Sequence, residues 1–124
     1  MSNLFTLRLL SGTANSFTVE VRFDPSHPVF AGHFPGMPVV PGVFLVEVLA
    51  AAVSQHLGKK VIVAEANNLK FIQMMDPGIH NVVMLNCLIA RDEVDEYFRV
   101  DATFSAGDLL FAKMKGVLLA AHSL

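Results

Sequence analysis

The sequence is poor in the residues that build covalent or metal-bound frameworks. Among 124 residues it has one cysteine, Cys87, one tyrosine and no tryptophan. A lone cysteine excludes an internal disulfide and fits a reducing compartment. No group of His, Cys, Asp and Glu has metal-ligand spacing, so no metal and no cofactor is expected. A Gly-rich phosphate loop and a Ser/His/Asp nucleophile arrangement are also missing. Charge is scarce: 16% of residues are charged, with a net charge of −2. Nucleic-acid binders usually carry a basic excess or stripe, whereas the nine Lys and Arg here are scattered. Lys59-Lys60, and Lys113 with Lys115 on one side of a strand, form small clusters that read as solvated faces. No apolar run reaches the roughly 18 residues that a membrane-spanning helix needs, because Glu47 interrupts the longest one. The segment MSNLFTLRLL has Arg8 inside its apolar stretch and no small-residue cleavage site. It does not read as a signal peptide, and a cytoplasmic location is expected.

What is abundant is core. Apolar residues make up 53% of the chain, far from the composition of disorder, and the length fits one domain over 1–124. So high an apolar share also suggests surface that a partner chain covers. In 16–23, Phe17, Val19, Val21 and Phe23 alternate with Thr18, Glu20 and Arg22, the period of a half-buried strand. With 4–10 and the turn SGTAN between them, this predicts a hairpin. Further strands are predicted over 61–72, 80–90, 94–104 and 109–120, with Asp76-Pro77-Gly78 and Ala106-Gly107-Asp108 as turns. Cys87 falls in one of these strands and reads as a small buried hydrophobe.

Between the hairpin and the later strands, Pro25, Pro28, Pro35, Pro38 and Pro41 forbid regular structure from Asp24 to Pro41. The run 43-VFLVEVLAAAVSQHL-57 follows, closed by Gly58 as a C-cap. Its length and its alanines predict a helix, and its apolarity on every face predicts a buried one. One helix followed by long antiparallel strands gives an α+β architecture, a curved sheet wrapping a central helix.

Glu47 is the anomaly in that helix. Its neighbours at three and four residues are Phe44, Val43, Ala50 and Ala51, none of which can pair with it. A carboxyl buried there would favour its protonated, proton-donating form. His33 sits in a stiff loop, Gly32-His33-Phe34-Pro35-Gly36, which gives its ring one defined position. Loop histidine and helix acid together supply both halves of an acid–base pair. Gly42 adds a backbone N–H at the helix start, able to stabilise negative charge developing on a carbonyl oxygen.

The stretch G-H-F-P-G-x-P-x-x-P-G-V-x-x-x-E, Gly32 to Glu47, resembles the signature of 3-hydroxyacyl-[acyl-carrier-protein] dehydratases of the FabZ/FabA type. The spacing of fourteen residues from His33 to Glu47 matches as well. The segment 68-NLKFIQMMDPGI-79 is similar to a family strand that ends in a Pro-Gly turn. The resemblance implies a hot-dog fold, with a long central helix inside a curved antiparallel sheet. It implies that His33 abstracts the proton next to the thioester carbonyl and that Glu47 protonates the departing β-hydroxyl. The Gly42 N–H would hold the thioester oxygen. It also implies a homodimer with shared active sites, and an acyl-carrier protein or coenzyme A thioester as substrate. One departure stands out: the family usually carries Gln one turn after the acid, where this chain has Ala51. That points to a specialised member, serving a polyene or secondary-lipid pathway. Phe34, Ala51, Phe71, Met74 and Met75 are candidates to line the acyl channel, suited to a flexible lipid chain; core or interface packing accounts for them equally well. Competing readings are a hot-dog thioesterase, which has no particular need for His33, and a non-catalytic acyl-binding partner subunit. An isomerase is disfavoured, because that branch carries Asp at the position of Glu47.

Overall fold

The computed structural model describes residues 4–28, 40, 42–92 and 97–121. The chain forms β1 (Phe5–Thr13), β2 (Ser16–Phe23), α1 (Gly42–Leu57), β3 (Val61–Phe71), β4 (Val82–Arg91), β5 (Tyr97–Ala106) and β6 (Leu109–Ala120). All six strands join one antiparallel sheet in the order β1-β2-β4-β5-β6-β3. The edges are β1 and β3.

Alternation decides which side of the sheet is filled. In β2, Phe17, Val19, Val21 and Phe23 are buried while Arg22 is exposed. In β5 the same holds for Phe98, Val100, Ala102 and Phe104 against Arg99 and Asp101. Register then stacks these rows, with Phe17 opposite Cys87, Leu85 opposite Phe104 and Phe104 opposite Ala112. Phe23, Phe98, Phe104 and Phe111 are fully buried, each contributing on the order of 1.5–3 kcal/mol of burial.

The first hairpin corrects the expected turn. Ser11, Gly12 and Thr13 belong to β1, and only Ala14-Asn15 turns. The Thr13 and Ser16 hydroxyls bond at 2.9 Å, and a bulge between Leu9 and Ser11 resets the register. Gly107, at φ 59, takes the left-handed position of the β5–β6 turn. On the other edge, β3 carries two irregularities, Val63/Glu65 and Ala66/Asn68. There the Glu65 carbonyl oxygen comes within 2.5 Å of where a Cβ on Gly116 would stand.

Helix α1 lies on the filled side, where Leu45, Val48, Leu49, Ala52 and Val53 are buried. Their spacing is that of one helical face. The expectation of a helix buried all round is corrected here, because Val43 is 63% exposed and Glu47 is also exposed. A sheet of one chain curves around one side of a helix; the opposite side stays open. At its end, Gly58 adopts φ 72 and donates to the Ser54 carbonyl at 3.0 Å, the expected C-cap. The Ser54 hydroxyl accepts the Val61 N–H at 3.0 Å, fixing where β3 departs. Among the described residues no helix is long and apolar enough to cross a membrane.

Candidate active site

The start of α1 is held from two directions. The Val40 N–H donates to the Met75 carbonyl at 2.8 Å, which ties the chain just ahead of the helix to the segment after β3. The Phe71 ring, at the end of β3, rests on Gly42 so closely that a Cβ there would overlap it. Glycine at 42 thus lets the ring lie against the helix start, and it leaves the first-turn amides beside an aromatic face. Those amides have no partner within the helix.

Glu47 stands just over one turn further along. It is one wall of a groove of about 520 Å³, between the open face of α1 and the first half of β3. Val43, Val46, Ala50, Ala51 and Val63 supply apolar walls. Ala51, one turn beyond Glu47, is a small wall of the same groove. The expected burial of Glu47 is not met within one chain, because the sheet covers the other side of the helix. Desolvation there requires a second body on the open face.

Of the expected channel residues, Met75 is buried at 3% exposure, whereas Phe71 and Met74 are 53% and 59% exposed. Exposed Ile72 and Ile79 follow nearby in the chain, and so much exposed apolar surface near the groove is typical of an interaction site. His33 and Phe34 lie outside the described residues. Groove walls such as Val43, Val46 and Val63 had no separate signature in the sequence, since valine reads equally well as core.

Two larger concavities, about 570 Å³ each, lie against the outer face of the sheet. Of their charged groups, Asp101 meets Lys115 at 4.0 Å and Arg99 lies over the Tyr97 ring at 5.7 Å, while Glu65 makes no ion pair among the described residues. Neither offers an acid–base pair. Burial, aided by the Asp101 charge, pushes the Cys87 thiol up to about 12, which makes it inert as a nucleophile. Among the described residues no cluster could hold a metal ion.

The model of the ApeI-like family, described as ApeI dehydratase, matches residues 10–108. The chain belongs to the ApeI-like dehydratases. That span includes the whole Gly32–Glu47 motif. Among curated relatives, the 3-hydroxyacyl-[acyl-carrier-protein] dehydratase FabZ of Lawsonia intracellularis is 34% identical over 79 residues, 56% of this chain and 50% of that protein. FabZ of Chloroflexus aggregans is 42% identical over 66 residues, 48% of this chain and 46% of that protein. The chain thus spans about half the length of the curated relatives it matches. Among solved structures, the dehydratase heterocomplex ApeI:P from Xenorhabdus doucetiae aligns at TM-score 0.66 and 20% identity, over 96% of this chain and 99% of that one. The HP0420 homologue from Helicobacter felis aligns at TM-score 0.67 and 16% identity, over 95% and 89%. These likenesses show the hot-dog fold expected from the resemblance.

Proposed function

We propose that this ApeI-like dehydratase eliminates water from 3-hydroxyacyl thioesters, giving trans-2-enoyl thioesters. His33 removes the proton on the carbon next to the thioester carbonyl. The electron pair forms the new double bond, the C–O bond breaks, and Glu47 delivers its proton to the leaving hydroxyl, which departs as water. The Gly42 N–H receives the negative charge that develops on the thioester oxygen. Protons return to Glu47 and leave His33 through solvent, so no cofactor is consumed. The observation that carries this reading is the placement of Glu47, a carboxylate in an apolar groove next to the helix N-terminus, at the acid position of a motif inside the family match.

The site is completed by a second copy of the chain. An open helix face and the unpaired backbone of edge strand β3 lie on the same side of the molecule, and an unpaired edge is a template for pairing. Such a homodimer takes Glu47 out of water and brings His33 of one copy to Glu47 of the other. The acyl group enters on a carrier protein in the cytoplasm, and the small Ala51 suits a bulky or extended acyl group of a specialised lipid.

The test is mass spectrometry of carrier-bound 3-hydroxyacyl and trans-2-enoyl thioesters incubated with the protein in both directions. Gain or loss of one water, abolished in His33→Ala and Glu47→Gln, is expected. Free carrier thiol would replace the proposal with thioester hydrolysis. No change on short, long and aryl substrates would leave an acyl-binding subunit.

A further inference from the structure

Folding creates a basic pair that the scattered sequence does not show. Lys70 on β3 and Lys113 on β6 are direct register partners. Both are exposed, and both point to the outer face, since the neighbouring pairs Leu69–Met114 and Phe71–Ala112 alternate with them. The next residue across from Lys113 is Thr103, which is neutral. Lys115, two residues on, has Asp101 at 4.0 Å, but among the described residues neither Lys70 nor Lys113 makes an ion pair.

Like charges directly opposite each other weaken a sheet. Charge on an edge can discourage pairing, but β3 is the edge offered to the second copy, and Lys113 sits one strand further in, so that use accounts for neither lysine. The location is informative. Lys70 adjoins Phe71, the residue whose ring rests on Gly42, and the Ile72 N–H continues the β3–β6 pairing to Phe111 at 2.8 Å. The basic pair therefore lies on the outer face of the sheet behind Phe71 and the start of α1, outside the groove that would hold the acyl group. In a chain of net charge −2, this is a local reversal of field of the kind that steers an anionic partner.

We propose that Lys70 and Lys113 dock a carboxylate-bearing face of the carrier protein that delivers the acyl thioester. The inference rests on the dehydratase reading and names the surface its partner uses. A carrier presents its acyl group on a long flexible arm, so a docking point outside the groove leaves it free for the acyl group. The repulsion between the two ammonium groups is relieved when acidic side chains settle over them.

The experiment compares the wild type with Lys70→Glu/Lys113→Glu and with Arg22→Glu/Arg99→Glu, a control of equal charge change at exposed positions away from the groove. Three thioesters of one 3-hydroxyacyl group are used: carrier-bound, coenzyme A, and N-acetylcysteamine, which has neither protein nor phosphate. Affinity for the unacylated carrier is measured in parallel by calorimetry at low and physiological salt. The expected result is about tenfold weaker carrier binding and a matching rise in KM for the carrier substrate only in the 70/113 variant. Its residual binding should also vary less with salt than that of the wild type. The N-acetylcysteamine substrate should be turned over as by the wild type. Equal losses on the coenzyme A thioester would assign the pair to phosphate and overturn the proposal. Equal losses on all three, a changed subunit mass or the same loss in the control would overturn it as well. Absence of turnover on every substrate by the wild type sinks the dehydratase reading, while the calorimetry still decides the docking surface.

Discussion

The two sides of α1 are chemically alike and meet different fates. Leu45, Val48, Leu49, Ala52 and Val53 enter the core, while Val43, Val46, Ala50 and Ala51 line an open groove with Glu47 among them. In sequence, both sets belong to one apolar run. The sheet of one chain curves around only one of them. The filled side serves stability, and the open side carries the one charged residue of the helix. The proposed chemistry sits where the fold leaves room.

That contrast breaks most visibly in activity. Glu47→Gln and His33→Ala should each lower kcat/KM about 10²–10⁴-fold. Glu47→Gln, an exposed change, should keep its unfolding free energy in urea within about 0.5 kcal/mol of the wild type. A large loss of stability in Glu47→Gln would mean that the acid belongs to the packed side after all. On that packed side, Leu49→Ala, at a position 4% exposed, should cost about 2–5 kcal/mol in equilibrium unfolding. Val43→Ala, at 63% exposure, should cost little at high dilution. If a second copy covers the open face, its melting temperature should fall relative to the wild type as protein concentration rises.

At the boundary between the sides, Gly42→Ala sets a Cβ against the Phe71 ring. The half-exposed ring can swing away, so the expected cost is about 1 kcal/mol, the low end for overpacking. Adding Phe71→Ala should recover it in a double-mutant cycle, and additivity would show that the ring is not the obstacle. The smallest effect belongs to the outer face. Arg8 donates to Glu20 at 3.0 Å, and that bond, with the Arg8 and Arg22 charges, holds the Glu20 carboxyl below its ordinary value despite some desolvation. A depressed folded value adds stability above the unfolded pKa of about 4.3, lost as pH falls through the folded value. Glu20→Gln should therefore flatten the acid limb of melting temperature against pH below about 4.3, with a small loss at neutrality that vanishes in acid.

Strands with strict alternation were legible from sequence. For β2 the expected bounds coincide with those observed, because period two leaves no freedom of face; those of β6 coincide as well, although its burial does not alternate strictly. The hairpin turn was misplaced because Ser11, Gly12 and Thr13 carry turn chemistry, yet pairing with β2 outweighs it. For the candidate site, the motif located Glu47 and Gly42 but not their surroundings. Apolarity alone does not tell a helix that is covered from one awaiting a cover. The Phe71–Gly42 contact and the Lys70–Lys113 pair were invisible for a different reason. Both depend on where β3 lies relative to α1 and β6, and one bulge more or fewer would turn those side chains to the other face.

The pressure of the Glu65 carbonyl on Gly116 reaches into how this protein can change. In the proposed acyl groove, a wall such as Ala50 or Ala51 can be exchanged to fit a new acyl group, since those side chains border open space. Position 116 has no such latitude: any side chain must push back the backbone of β3, and with it Val63, another wall of the groove. A library randomised at both kinds of position, then selected for activity on altered acyl groups, should return varied residues at 50 and 51 and glycine at 116.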